Sequence, residues 1–213
     1  MYSKSGNYIL GFHGCTQKVA DILLGSDSPT FKKSTNDYDW LGHGMYFWEN
    51  DPKRAMSFIR EQVIRVNSDK NSSKEKKEEY KDITVVGAVI DLAHCLNLTE
   101  IASIEKVKKT YYYFVEKSKE NNRELPKNRN SKDNHDLLFR NLDCAVIEFL
   151  HAIQNSNSNL QPYDTVKGMF KEGEALYEGA VFLDKTHIQI CVRNEHSIKG
   201  YFIPIKEHKP FEY

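Results

Sequence analysis

An α+β fold is predicted by three features of the chain. Apolar, β-rich runs lie near both ends, helical periodicity fills the middle, and short polar or Gly-containing segments separate them. The 213 residues suffice for one sizeable core and show no internal repeat or dividing linker, so residues 1–213 are expected to form a single domain.

Taken in order, residues 8–13 are rich in β-formers and read as a first strand ended by Gly14. Thr16 then offers an N-cap, and Val19, Ile22 and Leu23 fall at helical spacing before Gly25. Residues 26–40 are polar and irregular, the pattern of a loop. Asp51 is placed to cap a second helix with Pro52 at its first position, and Ala55, Phe58, Ile59 and Val63 give it one apolar face. Residues 67–81 carry almost no apolar side chains and are expected to loop out in solvent. The near-continuous apolar run over 83–92 fits a strand buried on both faces. Ile101, Ile104, Lys108, Tyr111 and Val115 mark a helix of mixed burial. A polar loop over 121–134 precedes another helix, defined by Leu138, Leu142, Ala145, Phe149 and Ile153. The last part is strand-like over 165–170, 186–192 and 198–205.

Composition narrows the function classes. Hydrophobic residues make up 39% and charged residues 28%, an ordinary soluble balance. The longest apolar run is far too short to span a bilayer, and residues 1–6 lack the basic and apolar regions of a secretory signal. Cys15, Cys95, Cys144 and Cys191 are scattered without a Cys-x-x-Cys pair, which reads as reduced thiols. A cytoplasmic protein with no membrane partner is therefore expected. Thirty basic residues balance thirty acidic ones, so whole-chain charge gives no support for affinity built on phosphate neutralisation. Lys-rich stretches at 70–81, 106–109 and 123–132 read as solvated surface. With no His-Glu-x-x-His and only an isolated His94-Cys95 pair, no metal is expected. The glycine patterns of Rossmann and P-loop nucleotide sites are also missing. Cys15 reads as a half-buried structural thiol rather than a nucleophile.

Two segments carry the chemistry. Phe12-His13-Gly14 closes the first strand, and Gly42-His43-Gly44-Met45-Tyr46-Phe47 follows just upstream of Asp51-Pro52. Together they resemble the first two signature motifs of the ADP-ribosyltransferase superfamily. The likeness is closest to its His-Tyr-[Glu/Asp/Gln] branch, which includes diphtheria toxin and the poly(ADP-ribose) polymerases. The resemblance implies split, mixed or antiparallel β-sheets with flanking helices, and NAD⁺ as co-substrate. It implies that His13 hydrogen-bonds a ribose hydroxyl and that the Gly14 backbone holds the nicotinamide amide. Tyr46 would stack on the nicotinamide ring, with Gly44 and Phe47 in the same cofactor-binding turn. Glycine permits close backbone approach, imidazole offers a donor and an acceptor, and an aromatic face suits a cationic pyridinium. Phe47 also fits a core aromatic after a glycine turn. Asp37-Tyr38-Asp39-Trp40 lies where the family carries a donor-side loop.

The third motif has two candidates. Ile188, Ile190 and Val192 share one face of a strand, so His187, Gln189 and Cys191 share the other, which directs Gln189 towards the cleft. Gln189 leads, with His187 as its partner. Glu178 is the rival, because Tyr177-Glu178-Gly179-Ala180-Val181-Phe182 also resembles a Glu opening a strand. Glu172 and Glu174 precede the strand, where the family's acceptor-recognition loop lies. Glutamine is no general base, so Gln189 would leave proton removal to Glu172 or Glu174. It also departs from the Glu of chain-elongating members, so the implied activity is mono-ADP-ribosylation. The sequence does not select the acceptor, whether RNA, DNA, protein, a small molecule or water. The resemblance further implies a toxin or phage-defence effector, with an antitoxin or chaperone protein as partner. The alternatives are an NAD⁺ glycohydrolase and a catalytically inactive NAD⁺- or ADP-ribose-binding module.

Overall fold

The computed structural model describes residues 7–25, 32–130 and 137–205. Residues 1–6, the start of the loop expected over 26–40 and the end of the loop over 121–134 lie outside them. Seven strands form: β1 Tyr8–Thr16, β2 Met45–Glu49, β3 Ile83–Asp91, β4 Cys95–Asn97, β5 Thr165–Phe170, β6 His187–Val192 and β7 Ile198–Phe202. The helices are α1 Gln17–Gly25, α2 Pro52–Ser68, α3 Lys74–Glu79, α4 Ile101–Glu120 and α5 Asn141–Ser156. The fold is α+β, a mixed seven-stranded sheet with flanking helices.

The strands lie in the order β4-β5-β6-β2-β1-β3-β7, and among the described residues only the β4–β5 pair is parallel. β1 and β3 pair along their whole length, from Tyr8↔Asp91 to Thr16↔Ile83. β1 and β2 share only the pairs Gly11↔Glu49 and Phe12↔Trp48 before they part. In place of separate sheets, one hydrogen-bonded ladder forks beyond Phe12. Met45, Phe47, Ala88, Ile90, Ile190 and Val192 belong to a core cluster to which no helix contributes. Each is at most 1% exposed. Strands from the two sides of the joint therefore close over one another, since nothing else among the described residues covers that face.

Helices cover the other surfaces. Ile147 and Leu150 of α5 pack on Leu96, Val166 and Cys191, while Ala55 of α2 packs on Phe12 and Trp48. Ala20 and Leu23 of α1 meet Cys15 and Val86. As expected, Asp51 caps α2 by accepting from the Arg54 N–H, with Pro52 in the first turn.

Several elements differ from expectation. β1 runs through Gly14 to Thr16, because its pairing with β3 continues to Ile83. The stretch over 67–81 is not all loop: Ser73 accepts from the Lys76 N–H and starts α3, whose Lys and Glu residues favour helix without an apolar face. The α4 stripe is misplaced, with Ile101 and Ile104 exposed and Thr110 and Ser118 buried. In α5 the buried face is Cys144, Ile147, His151 and Gln154, while Phe149 turns sideways to meet Phe114 of α4. Residues 45–49 and 95–97 form strands that periodicity did not reveal, both being very short. The strand expected over 198–205 ends at Phe202.

Candidate functional site

The fork between β1 and β2 opens into a cavity of about 1260 Å³. Ligand pockets commonly run to about 300–1,000 Å³, so this one has room for a dinucleotide. Its walls come from both strands of the fork, from α1 and α2, from residues 32–40 and from β6. His13, Gly14, Gly44, Tyr46, Glu172, His187 and Gln189 all line it.

His13 spans the fork. Its Nδ1 lies 2.8 Å from the Tyr46 carbonyl oxygen, which can only accept, so Nδ1 carries the proton. Burial lowers its pKa to about 4, the carbonyl contact opposing this. The ring is thus neutral at pH 7, with Nε2 as the acceptor nitrogen. Gly14 is required by packing: a Cβ there would meet the Ala55 carbonyl of α2, so glycine lets helix and strand approach.

Tyr46 is held through its hydroxyl, which accepts from the Leu41 N–H at 3.0 Å and donates to the Gly42 carbonyl at 2.8 Å. Burial raises its pKa well above the ordinary tyrosine value, so it stays protonated. Strand alternation sets Tyr46 and Trp48 on the cavity wall, while Phe47 points the other way.

Across the cleft, Gln189 is the register partner of Trp48. Its Oε1 accepts from the Trp40 indole N–H at 2.6 Å, which leaves its NH₂ as the donor on offer. His187 stacks on Phe170 with ring centroids 5.6 Å apart, and Phe170 in turn meets Trp40 edge-on. His187 Nδ1 donates to the Lys185 carbonyl at 2.6 Å, and burial lowers its pKa to about 4. Arg54 and Glu172 form a buried ion pair at 2.8 Å on the same wall, with Glu61 4.0 Å from the guanidinium. This wall therefore combines a neutral imidazole, an amide donor and a compensated charge pair.

Three expected site residues stand elsewhere. Phe47 is fully buried in the strand core and does not line the cavity, because it is one residue out of phase with Tyr46. Glu178 is exposed at a turn, and no strand opens there. Leu176 N–H donates to the Phe182 carbonyl and Gly179 has φ +77°, so residues 176–182 make a tight loop ahead of β6. Glu174 is exposed outside the cavity, its N–H bonded to Asp184. Sequence reasoning missed Trp48, which the two-residue period from Tyr46 would have found. It also missed Arg54, whose partner lies 118 residues away and leaves no local signal.

Among the described residues, no group of three or more His, Cys, Asp or Glu side chains could hold a metal, and no helix is long and apolar enough to cross a membrane. Comparison with protein-family models, with curated proteins and with solved structures finds no match.

Proposed function

We propose that this chain is an NAD⁺-dependent mono-ADP-ribosyltransferase with an ADP-ribosyltransferase-like fold, joining ADP-ribose to a macromolecular acceptor and releasing nicotinamide. The carrying observation is that His13-Gly14, Gly44–Tyr46 and His187–Gln189, far apart in the chain, meet in one forked cavity large enough for a dinucleotide. Neutral His13 then serves a ribose hydroxyl through Nε2, and the Tyr46 face receives the cationic nicotinamide ring. Gln189, oriented by Trp40, gives an N–H to a ribose hydroxyl oxygen, and so positions rather than deprotonates.

Of the three glutamates before β6, Glu172 alone lines the cavity. The proton of the incoming acceptor is assigned to it, with Arg54 holding the carboxylate in place. A phage-defence or toxin role, with an antitoxin or chaperone as partner, is part of the same reading.

The test uses NAD⁺ labelled in its adenylate half, incubated with the protein and separately with cellular RNA, DNA and protein. Label should enter one of these classes as nicotinamide appears. Nicotinamide with only free ADP-ribose would make the protein a glycohydrolase. Binding of NAD⁺ without any release would leave a binding module.

A further inference from the structure

Outside the cavity, two side chains from distant parts of the chain close on one loop residue. The His43 N–H donates to Glu148 Oε1 of α5 at 2.7 Å. The His43 carbonyl accepts from Arg193 Nη1 at 2.8 Å, and the same Nη1 donates to Glu148 Oε1. Both backbone polar groups of one loop residue are thus held by an ion pair that is itself closed. Gly42, with φ +81°, sits against this pair so tightly that a Cβ would lie 2.5 Å from Glu148 Oε1. Burial alone would raise the Glu148 carboxyl, but the bonds from Arg193 and the His43 N–H outweigh it and hold the pKa below the usual value.

The fastening is transmitted to the site. The Gly42 carbonyl, which shares its peptide with the His43 N–H, accepts from the Tyr46 hydroxyl at 2.8 Å. On the opposite side, Ser34 and Gly44 exchange backbone bonds at 2.8 and 3.1 Å. The 42–44 turn thus ties α5 and the residue after β6 to the Tyr46 hydroxyl, beside the direct strand pairing of Tyr46 with Cys191. We infer that Glu148 and Arg193 are positioning residues for the NAD⁺ site, setting the angle of the Tyr46 ring through the 42–44 turn without touching the ligand. This rests on the proposed function.

Glu148→Ala removes one arm, and Arg193→Lys keeps the charge but loses the planar guanidinium whose Nη1 and Nη2 both donate to Glu148. Glu148→Gln retains an oxygen for the His43 N–H. The first two variants are expected to raise KM for NAD⁺ about tenfold, whereas Glu148→Gln stays within about threefold of the parent, displacement of a positioned group by 1 Å being able to cost more than this. In a Tyr46→Phe background, where the ring remains and its link to Gly42 is gone, Glu148→Ala should add nothing further to KM.

Amide hydrogen exchange over residues 41–46 gives a readout free of NAD⁺. It should quicken in Glu148→Ala and Arg193→Lys, and not in Glu148→Gln. Unchanged exchange in the folded variants would overturn the inference, as would KM effects that simply add in the Tyr46→Phe background. If the parent protein neither binds nor turns over NAD⁺ while exchange responds as expected, the clamp stands and the transferase reading falls. Should Glu148→Ala fail to fold, Arg193→Lys against Glu148→Gln carries the same comparison.

Discussion

Tyr46 has two separable parts, a ring on the cavity wall and a hydroxyl bonded to Leu41 and Gly42. Tyr46→Phe leaves the N–H of fully buried Leu41 without its acceptor, so it should cost about 1–3 kcal/mol of stability in urea unfolding. Tyr46→Ala removes the ring as well. A desolvated cation–π contact of about 2 kcal/mol corresponds to roughly a 30-fold loss, so nicotinamide release should fall at least that far in a variant still folded by circular dichroism. Unchanged release would sink the role given to the ring. Gln189→Ala takes away the amide proposed to position the ribose and should lower kcat by about a hundredfold, the cost that misplacement by 1 Å can carry. Residue-level legibility was uneven for a simple reason. Parity along β6 separates Gln189 from Ile188 and Ile190 in the sequence itself, and the cavity lining agrees. The same parity along β2 would have set Phe47 aside and brought Trp48 in, had 45–49 been read as a strand.

At the scale of elements, the buried link between α2 and the segment entering β6 is the Arg54–Glu172 pair, with side chains 7% and 10% exposed, beside the more open Lys185–Glu61 pair. Glu172→Ala would strand a buried guanidinium with only Glu61 at 4.0 Å, and this should cost about 3–5 kcal/mol. Replacing both, as Arg54→Met with Glu172→Leu, should recover most of that loss, because no uncompensated charge remains. Urea midpoints of the two single and the double variant decide it, and additive losses would contradict the pairing. Nothing in the sequence announces this link, since the α2 face reads as Ala55, Phe58 and Ile59 with arginine beside it. The α2 cap and the long strands were legible because their causes are local, as with Asp51 and Pro52 before α2. The buried faces of α4 and α5 were not, because α4 buries Thr110 and Ser118 and α5 buries His151 and Gln154 while apolar neighbours stay outside. Tertiary packing chose those faces, and hydrophobic periodicity alone pointed about one residue to the side.

For the whole molecule, the fork that makes the cavity also loads the interior with neutral histidines. His13, His151 and His187 are each lowered to about 4 by burial, on the two walls of the cleft and on α5 behind it. In the unfolded chain each returns to about 6.5. Between those values the unfolded state binds protons that the native state refuses, so stability falls as pH drops from about 6.5 towards 4, and this source of loss ends below 4. Above 6.5 all three are neutral in both states and contribute no slope. A shift of that size is worth on the order of 3 kcal/mol per histidine at the acid end, against a typical total of about 5–15 kcal/mol. The protein should therefore lose much of its stability between pH 6.5 and 5, before most carboxylates begin to protonate. Urea midpoints at pH 7.5, 6.0 and 5.0 measure the slope directly. His151→Gln removes one titrating group outside the cavity lining and should flatten it by about a third, since each histidine binds one proton in the unfolded state over this window. A midpoint that holds steady down to pH 5 would mean that the three rings are protonated in the native state, which would remove the neutral His13 on which the proposed ribose contact depends.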